Sequence, residues 1–142
     1  MNIKITGSGS YVPEIRVKNT DFGSHVFLNE DGSPFAYSND VVISKFKSIT
    51  GIEERRYAEP HHTTSDIAFF AAEKAIKNAN IDPETLDYII FAHNFGDVKS
   101  DAIQSDSVPS LATRVKFKLR IQNPKCVAYD VLFGCPGWIE GV

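Results

Sequence analysis

The sequence predicts an α/β fold in which helices cover a mixed sheet, and three observations support this prediction. Residues 65–80 carry the small-residue stripe of an amphipathic helix, and the apolar run of residues 126–133 is typical of a strand buried on both faces. Helical and strand patterns also alternate along the chain. Its 142 residues are 42% hydrophobic and 23% charged, which is sufficient for a core. We therefore expect a single domain spanning residues 1–142.

Charge and hydropathy exclude two classes of partner. The net charge of -3 gives no chain-wide positive field of the kind that favours nucleic acid or an anionic membrane surface. No apolar run approaches the ~20 residues of a membrane-spanning helix, and the start of the chain alternates like a strand instead of resembling a signal peptide. The sequence predicts a soluble, cytoplasmic protein with no nucleic-acid partner and no membrane span.

The first 50 residues predict a strand, a loop and a short helix. Residues 3–11 are interpreted as a strand with Ile3 and Ile5 on one face. Residues 29–40 are rich in turn-forming dipeptides and predict an exposed loop or a hairpin tip. A short helix is expected over residues 41–47.

The middle of the chain predicts a capped helix followed by a strand. Thr63 or Ser65 can cap the helix of residues 65–80. Asp82 then precedes a proline, a combination that favours one short helical turn before the apolar strand of residues 88–92.

The last third predicts a loop, a helix and the buried strand. Residues 94–108 have no sustained period and are rich in Ser and Asp, and long loops of this kind often carry function. Residues 109–120 are helix-like, since Leu111 and Val115 are spaced by four residues. The strand of residues 126–133 follows.

The chain leaves this last strand through a turn that contains Cys135. Proline is favoured at the first helical position, so Pro136 predicts that Cys135 is the N-cap of a helix. A thiol there faces the positive end of the helix dipole, which favours the thiolate. Gly134 and Gly137 leave room for a substrate and leave the Cys135 amide free to face a developing oxyanion. The pattern predicts a cysteine nucleophile, and a buried structural cysteine is the alternative.

The same turn resembles a known active-site segment. Residues 126–142 are similar to the active-site segment of β-ketoacyl-ACP synthase III and its thiolase-fold relatives. The residues that carry the pattern are Ala128, Asp130, Val131, Cys135 and Gly137. Residues 50–56 resemble the early Thr-Gly-Ile…Arg segment of that family, and residues 64–66, 81–83 and 108–110 also agree in order and spacing.

This resemblance implies a fold, a reaction and partners. The fold would be the N-terminal half of the layered αβαβα architecture, with the second half absent. An acyl-CoA or acyl-ACP would acylate Cys135, and decarboxylative Claisen condensation with malonyl-ACP would follow, without a permanently bound cofactor. The partners implied are acyl carrier protein, acyl-CoA and a second copy in a homodimer. The His and Asn that support decarboxylation lie in the family's second half, so we expect the 142-residue chain alone not to condense substrates.

The resemblance also implies substrate-binding residues. Thr50, Arg55 and Val108 fall where the family contacts substrate, pantetheine or the acyl group. Lys45 stands where the family has a Trp that stacks on the adenine of CoA, and Val108 stands where a bulky aromatic closes the acyl pocket. These two departures favour an ACP-borne primer and a longer or branched acyl group. A basic cluster near the Thr-Gly-Ile segment is a further candidate for this contact, and it consists of Lys45, Lys47, Arg55 and Arg56.

Other polar residues favour structural roles. His93 follows a strand and could line an active-site mouth, but a structural role is preferred. Asp130, within an apolar strand, is expected to hold local backbone or an arginine, and Trp138 is expected to pack in the core. His61 and His62 lie in a polar turn without partners at metal-site spacing, so no metal site is expected.

Three rival functions remain open from the sequence. A different thiolase-fold condensing enzyme, such as an HMG-CoA synthase-like or secondary-metabolite synthase, would keep Cys135 and change the acceptor. A cysteine hydrolase would need a His base and would release free acid. A non-catalytic assembly module would offer only a sheet and helix surface to a partner chain.

Overall fold

A computed structural model describes residues 3–142 of the chain. These residues form two compact units, one of residues 13–59 and one of residues 3–12 together with 60–142. Both units combine helices with a two-stranded sheet, which confirms the α/β class. Within residues 3–142, no helix combines the length and the apolar character needed to cross a bilayer.

The unit of residues 13–59 contains an antiparallel pair of strands and one long helix. Strand β1 (Ile15–Lys18) pairs with β2 (Glu54–Tyr57), and a 3-10 helix (Asn19–Ser24) follows β1. Helix α1 (Asn39–Thr50) is longer than the predicted 41–47. It ends at Gly51, whose φ of 70° is the left-handed conformation that glycine accepts at a helix end.

The predicted loop or hairpin tip lies between these elements. Leu28 and Pro34 form an isolated antiparallel bridge, and the Asn29 N–H donates to the Ser33 carbonyl at 2.7 Å. Gly32 has a φ of 81° at this turn. The hairpin tip predicted within residues 29–40 is therefore confirmed.

The larger unit is built on two parallel strands. Strand β3 (Tyr88–His93) pairs with β4 (Val127–Leu132), with Tyr88 opposite Val127 at the start of the register. Helix α2 (Thr64–Ala79) packs on α3 (Leu111–Lys118), and α3 also packs on both strands. The short helix α4 (Gly137–Gly141) follows β4. The helices and strands predicted between residues 65 and 133 are confirmed, with bounds that differ by one or two residues.

The ends of α2 follow the sequence signals. Thr63, not Ser65, is the N-cap, and it forms a capping box with Asp66. Asn80 ends the helix with a φ of 53°. The side chain of Asp82 accepts the Glu84 N–H at 3.0 Å and caps the next 3-10 turn, as predicted.

The prediction of a strand over residues 3–11 is wrong. Within the described residues this segment pairs with no strand, and it lies against the side of α2. A Cβ at Gly7 would come within 2.6 Å of the Ala79 Cβ, and the Ser8 N–H donates to the Asn78 side chain at 3.0 Å. The backbone groups on the side of a helix are already paired, so a segment docked there cannot form a ladder.

The core of the larger unit lies where α3 packs on one face of the β3–β4 sheet. The buried apolar residues described in the structure are Leu111, Ala112, Val115, Ile121 and Cys126. The expectation that residues 126–133 are buried on both faces is wrong, because Val127 and Tyr129 are exposed on the face opposite α3. Within residues 3–142, the short helix α4 covers part of that second face.

Candidate active site

Cys135 lies in the turn between β4 and α4, at the carboxyl end of the parallel strand pair. The Phe133 N–H donates to the His93 carbonyl at 3.2 Å and extends the ladder one residue beyond the regular strands. The Gly137 N–H then donates to the Gly134 carbonyl at 2.8 Å and closes the turn. Backbone hydrogen bonds therefore hold the chain on both sides of Cys135. Cys135 itself is exposed.

The prediction that Cys135 is the N-cap of α4 is wrong by one residue. The N-cap is Pro136, and α4 begins at Gly137. Pro136 has φ -69° and ψ -11°, already helical values, and its carbonyl accepts the Ile139 N–H at 2.9 Å. Proline disfavours helical values in the residue before it, which places Cys135 in the turn that leads into the helix.

The first turn of α4 packs closely on the sheet because residue 137 is glycine. A Cβ at Gly137 would lie 3.3 Å from the Phe133 Cβ and 3.5 Å from the Ala92 Cβ. Within residues 3–142, the Cys135 N–H donates to no protein acceptor. At such an exposed cysteine the sulfur can attack a thioester carbonyl, and the backbone N–H can donate a hydrogen bond to the oxyanion that forms.

Trp138, three residues after Cys135, does not pack in the core. The residue is 66% exposed, which corrects the prediction. Because α4 contacts the sheet through its glycines, Gly137 and Gly141, the bulky side chains of this helix point away from the sheet.

Asp130 holds backbone, as the sequence predicted. Its carboxylate accepts the Leu111 N–H at 2.7 Å and the Ala112 N–H at 2.8 Å, so it caps the start of α3 from β4. His93 Nε2 lies 3.0 Å from the same carboxylate, and His93 Nδ1 accepts the Gly96 N–H at 2.9 Å. With Nδ1 as acceptor, the ring proton is on Nε2 and faces Asp130. His93 is thus committed to a structural network, which confirms the preferred interpretation.

The loop of residues 94–108 is held by a second buried carboxylate, Asp97. Its side chain accepts the N–H and the hydroxyl of Ser65, both at 2.7 Å, and so caps the start of α2. Arg114 donates to it at 3.0 Å and pairs with Asp106 at 2.8 Å. Hydrogen bonding to Arg114 holds the pKa of Asp106 below its ordinary value.

Val108 ends this loop, and the residue is 84% exposed. It lies in the same unit as Cys135, three residues before Leu111, which Asp130 anchors to β4. Its predicted role at the acyl pocket stays a prediction.

Thr50 and Arg55 lie in the other unit, that of residues 13–59. The Thr50 hydroxyl donates to the Phe46 carbonyl and accepts the Ile52 N–H at 3.1 Å. Arg55 donates to the Asn19 side chain at 2.6 Å and lies over the Phe46 ring. Both side chains have internal partners, and their predicted contact with substrate stays a prediction.

In the basic cluster of Lys45, Lys47, Arg55 and Arg56, two of the four cations pair with carboxylates of the same unit. Lys47 pairs with Glu53, Arg56 lies 3.5 Å from Glu54, and Lys45 lies over the Tyr37 ring. Lys45 and Thr50 line the same cavity of about 260 Å³, whose other walls are mostly aromatic and aliphatic side chains of α1 and the preceding loop.

The two adjacent histidines differ in the structure. His61 is exposed, whereas His62 is half-buried against Phe70 and Tyr11, at ring-centroid distances of 5.1 and 6.5 Å. In the described part of the chain, no group of three or more His, Cys, Asp or Glu side chains is arranged to hold a metal ion.

Sequence reasoning missed Arg114 and Asp97. The composition of residues 94–108 predicts a polar loop but does not distinguish Asp97 from the other aspartates. The pairing with Arg114 joins residues 17 positions apart, and only the packing of α3 beside the loop brings them together.

The chain is similar to known synthases along nearly its whole length. It is 38% identical over 139 residues to the β-ketoacyl-[acyl-carrier-protein] synthase III of Staphylococcus haemolyticus, a match that covers 98% of this chain and 37% of that protein. The crystal structure of 3-oxoacyl-[acyl-carrier-protein] synthase III from Aquifex aeolicus is 30% identical with a TM-score of 0.68, over 96% of this chain and 37% of that one. The synthase III structure from Thermus thermophilus is 34% identical with a TM-score of 0.65, over 96% and 35%.

These matches confirm the predicted resemblance and the thiolase-like α/β fold. The chain spans only a little over a third of the length of these relatives. No protein-family model matches the chain.

Proposed function

The chain is a thiolase-fold relative of β-ketoacyl-[acyl-carrier-protein] synthase III, and from that relationship we propose that it is the N-terminal part of a condensing enzyme with Cys135 as its acyl-accepting nucleophile. The observation that carries the proposal is the position of Cys135. Cys135 is exposed and directly follows the carboxyl ends of the parallel strands, where α/β proteins bind ligands. Its backbone N–H has no hydrogen-bond acceptor within residues 3–142. The same residue stands in the segment that resembles the family's active site.

The proposed reaction has two steps. Cys135 Sγ, as the thiolate, attacks the carbonyl of an acyl-CoA or acyl-ACP, and the thiol of the donor leaves as the acyl-enzyme forms. Malonyl-ACP then loses CO2, and the resulting carbanion attacks the acyl-enzyme to give β-ketoacyl-ACP and free Cys135. The covalent intermediate divides one difficult step into two, and the Cys135 amide stabilises the oxyanion in each.

The second step needs donors to the malonyl thioester that this chain does not supply. In the family, a His and an Asn of the second half serve this purpose, and the present chain spans 37% of the Staphylococcus relative. His93 does not take their place, because both its ring nitrogens are engaged, one by Asp130 and one by Gly96. The proposed activity of the chain alone is therefore acyl acceptance without condensation.

Three further residues have proposed contacts with the substrate. Thr50 and Arg55 would lie along the pantetheine path, and Val108 would line the acyl pocket. The exposure of the Val108 side chain supports this role, since it is free to contact an acyl chain. The proposed partners are acyl carrier protein and acyl-CoA, the proposed assembly is a homodimer, and the proposed location is the cytoplasm.

Intact-protein mass spectrometry tests the proposal. The protein is incubated with acetyl-CoA, longer acyl-CoAs and acyl-ACP, and we expect one acyl adduct per chain on Cys135. The adduct should be absent in Cys135→Ala and unchanged in Cys126→Ser, the matched control, because Cys126 is buried.

Each rival predicts a different result in the same experiment. Release of free acid without an adduct would indicate a cysteine hydrolase. No reaction with any donor would favour an assembly module and would refute acyl transfer. An adduct that gives β-ketoacyl product with malonyl-ACP would contradict the proposal that the chain alone cannot condense.

A further inference from the structure

We propose that Arg114 is a positioning residue that holds the loop of residues 97–109 in one conformation and so fixes the position of Val108. The fixed position of Val108 in turn narrows the range of acyl groups that can reach Cys135. The part that concerns acyl groups rests on the proposed function. The part that concerns the loop does not.

Three bonds from Arg114 converge on this loop. Its guanidinium donates through Nη1 to Asp97 at 3.0 Å and through Nη2 to Asp106 at 2.8 Å, and Nε donates to the Pro109 carbonyl at 3.0 Å. The guanidinium is planar with donors in fixed directions, so its three acceptors are held in fixed relative positions. We call these four residues the Arg114 clamp.

The loop is closed at its base, where the clamp acts. Asp97 and Asp106 form an antiparallel bridge, with N–H to carbonyl distances of 2.9 and 2.8 Å. Gly96 makes this approach possible, since it has a φ of 88° and a Cβ there would lie 2.9 Å from the Asp106 carbonyl oxygen. Residues 98–105 extend beyond the bridge.

Val108 lies between two members of the clamp. Asp106 is held two residues before it and Pro109 directly after it. Its side chain is exposed, so neighbouring side chains do little to fix its position. The Arg114 clamp therefore restrains the backbone on both sides of Val108.

The two carboxylates of the clamp differ in burial. The Asp97 side chain is 5% exposed and also caps α2 through Ser65, whereas that of Asp106 is 58% exposed. Exposed ion pairs contribute little to global stability. The bond to Asp106 can therefore be broken without unfolding the protein.

The helices on either side do not depend on Asp106. Helix α3 is capped by Asp130, and the Ser110 hydroxyl accepts the Thr113 N–H at 3.1 Å. Helix α2 keeps its capping box of Thr63 and Asp66. Loss of Asp106 should thus loosen the loop and leave the helix starts in place.

Hydrogen exchange read by mass spectrometry on the 142-residue chain tests the loop directly. In Asp106→Asn, we expect amides of residues 98–108 to exchange about fivefold faster, a change of the size that an exposed ion pair supports, while residues 64–79 and 111–118 are unchanged. Asp101→Asn, which removes a carboxylate of the same loop outside the clamp, should have no effect. Asp106→Glu should restore slow exchange, and added salt should loosen the loop in the wild type but not in Asp106→Asn.

The acyl part is tested by single-turnover acylation of Cys135 with acyl-CoAs of increasing length. We expect Asp106→Asn to raise the rate with long donors relative to acetyl-CoA by about threefold or more, and Asp101→Asn to match the wild type. Unchanged loop exchange in Asp106→Asn would overturn the whole inference. Faster loop exchange with unchanged acyl preference would overturn its second part. Absence of any acylation in the wild type would refute the proposed function, and the exchange data would still decide whether Arg114 positions the loop.

Discussion

Three buried or half-buried carboxylates in the larger unit serve the starts of helices. Asp97 accepts the Ser65 N–H at the start of α2, and Asp130 accepts two N–H groups at the start of α3. Asp66 accepts the N–H of Thr63, the N-cap of α2. The first N–H groups of a helix have no partner within the helix and carry partial positive charge, so a carboxylate is stabilised there. This explains why an aspartate is tolerated within the apolar strand β4.

Replacement of Asp130 by Asn tests this explanation. Asn has one acceptor oxygen and an NH2 group, which cannot accept the second backbone N–H of α3. We expect a loss of about 2–3 kcal/mol in the free energy of unfolding, since a buried N–H loses its partner and a charge-assisted bond is lost. Urea unfolding followed by circular dichroism measures it. Asp101→Asn should change the free energy by less than about 0.5 kcal/mol, and equal effects of the two substitutions would contradict the explanation.

Asp66 gives a prediction about pH. Burial alone would raise its pKa, but the hydrogen bonds from Lys118 and Thr63 outweigh burial and lower the pKa from 3.8 to about 2. A carboxylate whose pKa is lower in the folded state stabilises the fold above the unfolded pKa, and this contribution disappears as the pH falls through the folded pKa. The stabilisation should be about 2 kcal/mol at pH 5 and should fall between pH 4 and pH 2.

The measurement compares urea unfolding of the wild type and Asp66→Asn from pH 2 to pH 5. Other carboxylates titrate in the same range, but they do so in both proteins, so the difference reports on Asp66. We expect the difference to shrink toward zero near pH 2. A difference that stays constant across this range would show that the carboxylate charge of Asp66 contributes nothing to stability.

At the scale of elements, the sequence predicts correctly the helices and strands that are specified by residues close together in the chain. Thr63 and Asp82 each cap a helical turn through side chains close in sequence, and the strand of residues 88–92 needs only its apolar run. The segment of residues 3–11 has a strand-like pattern but no partner strand, because pairing is a property of the tertiary structure. Cys135 was located correctly in a strand-to-helix turn, yet its place relative to the cap depended on backbone angles that the residue types did not fix.

The docking of residues 3–12 on α2 gives a prediction at this scale. A Cβ at Gly9 would overlap the Ala71 carbonyl, so Gly9→Ala should push the segment off the helix. We expect faster hydrogen exchange of the Ser8 N–H, which binds Asn78, and a loss of about 1–3 kcal/mol in stability, as for other overpacked sites. Gly23→Ala is the matched control, because no atom lies within 4 Å of the added Cβ. Similar exchange in both variants would argue against close docking of the segment.

At the scale of the whole molecule, many large apolar residues are exposed. The paired register places Tyr88 beside Val127 and Ile90 beside Tyr129 on the face of the sheet opposite α3, and all four residues are exposed. Trp138 and Ile139 of α4 are also exposed. Contiguous exposed apolar surface of this kind marks an interaction site or promotes association.

We therefore expect the 142-residue chain to self-associate through this face. Sedimentation velocity should give a weight-average mass that rises above 15.8 kDa as concentration increases. The double variant Ile90→Thr with Tyr129→Thr should remain monomeric, because Thr keeps strand propensity and removes apolar area from the face. Ile103→Thr, which alters a fully exposed loop residue outside the sheet, should associate like the wild type.

Two other outcomes of the sedimentation experiment have a clear meaning. Strands β3 and β4 each have one edge without a strand partner in the described residues, and such edges can pair with another chain. Association that persists in the double variant would therefore assign the contact to the strand edges, because backbone pairing does not depend on these two side chains. A wild type that stays at 15.8 kDa up to several hundred micromolar would show that the exposed face does not drive association.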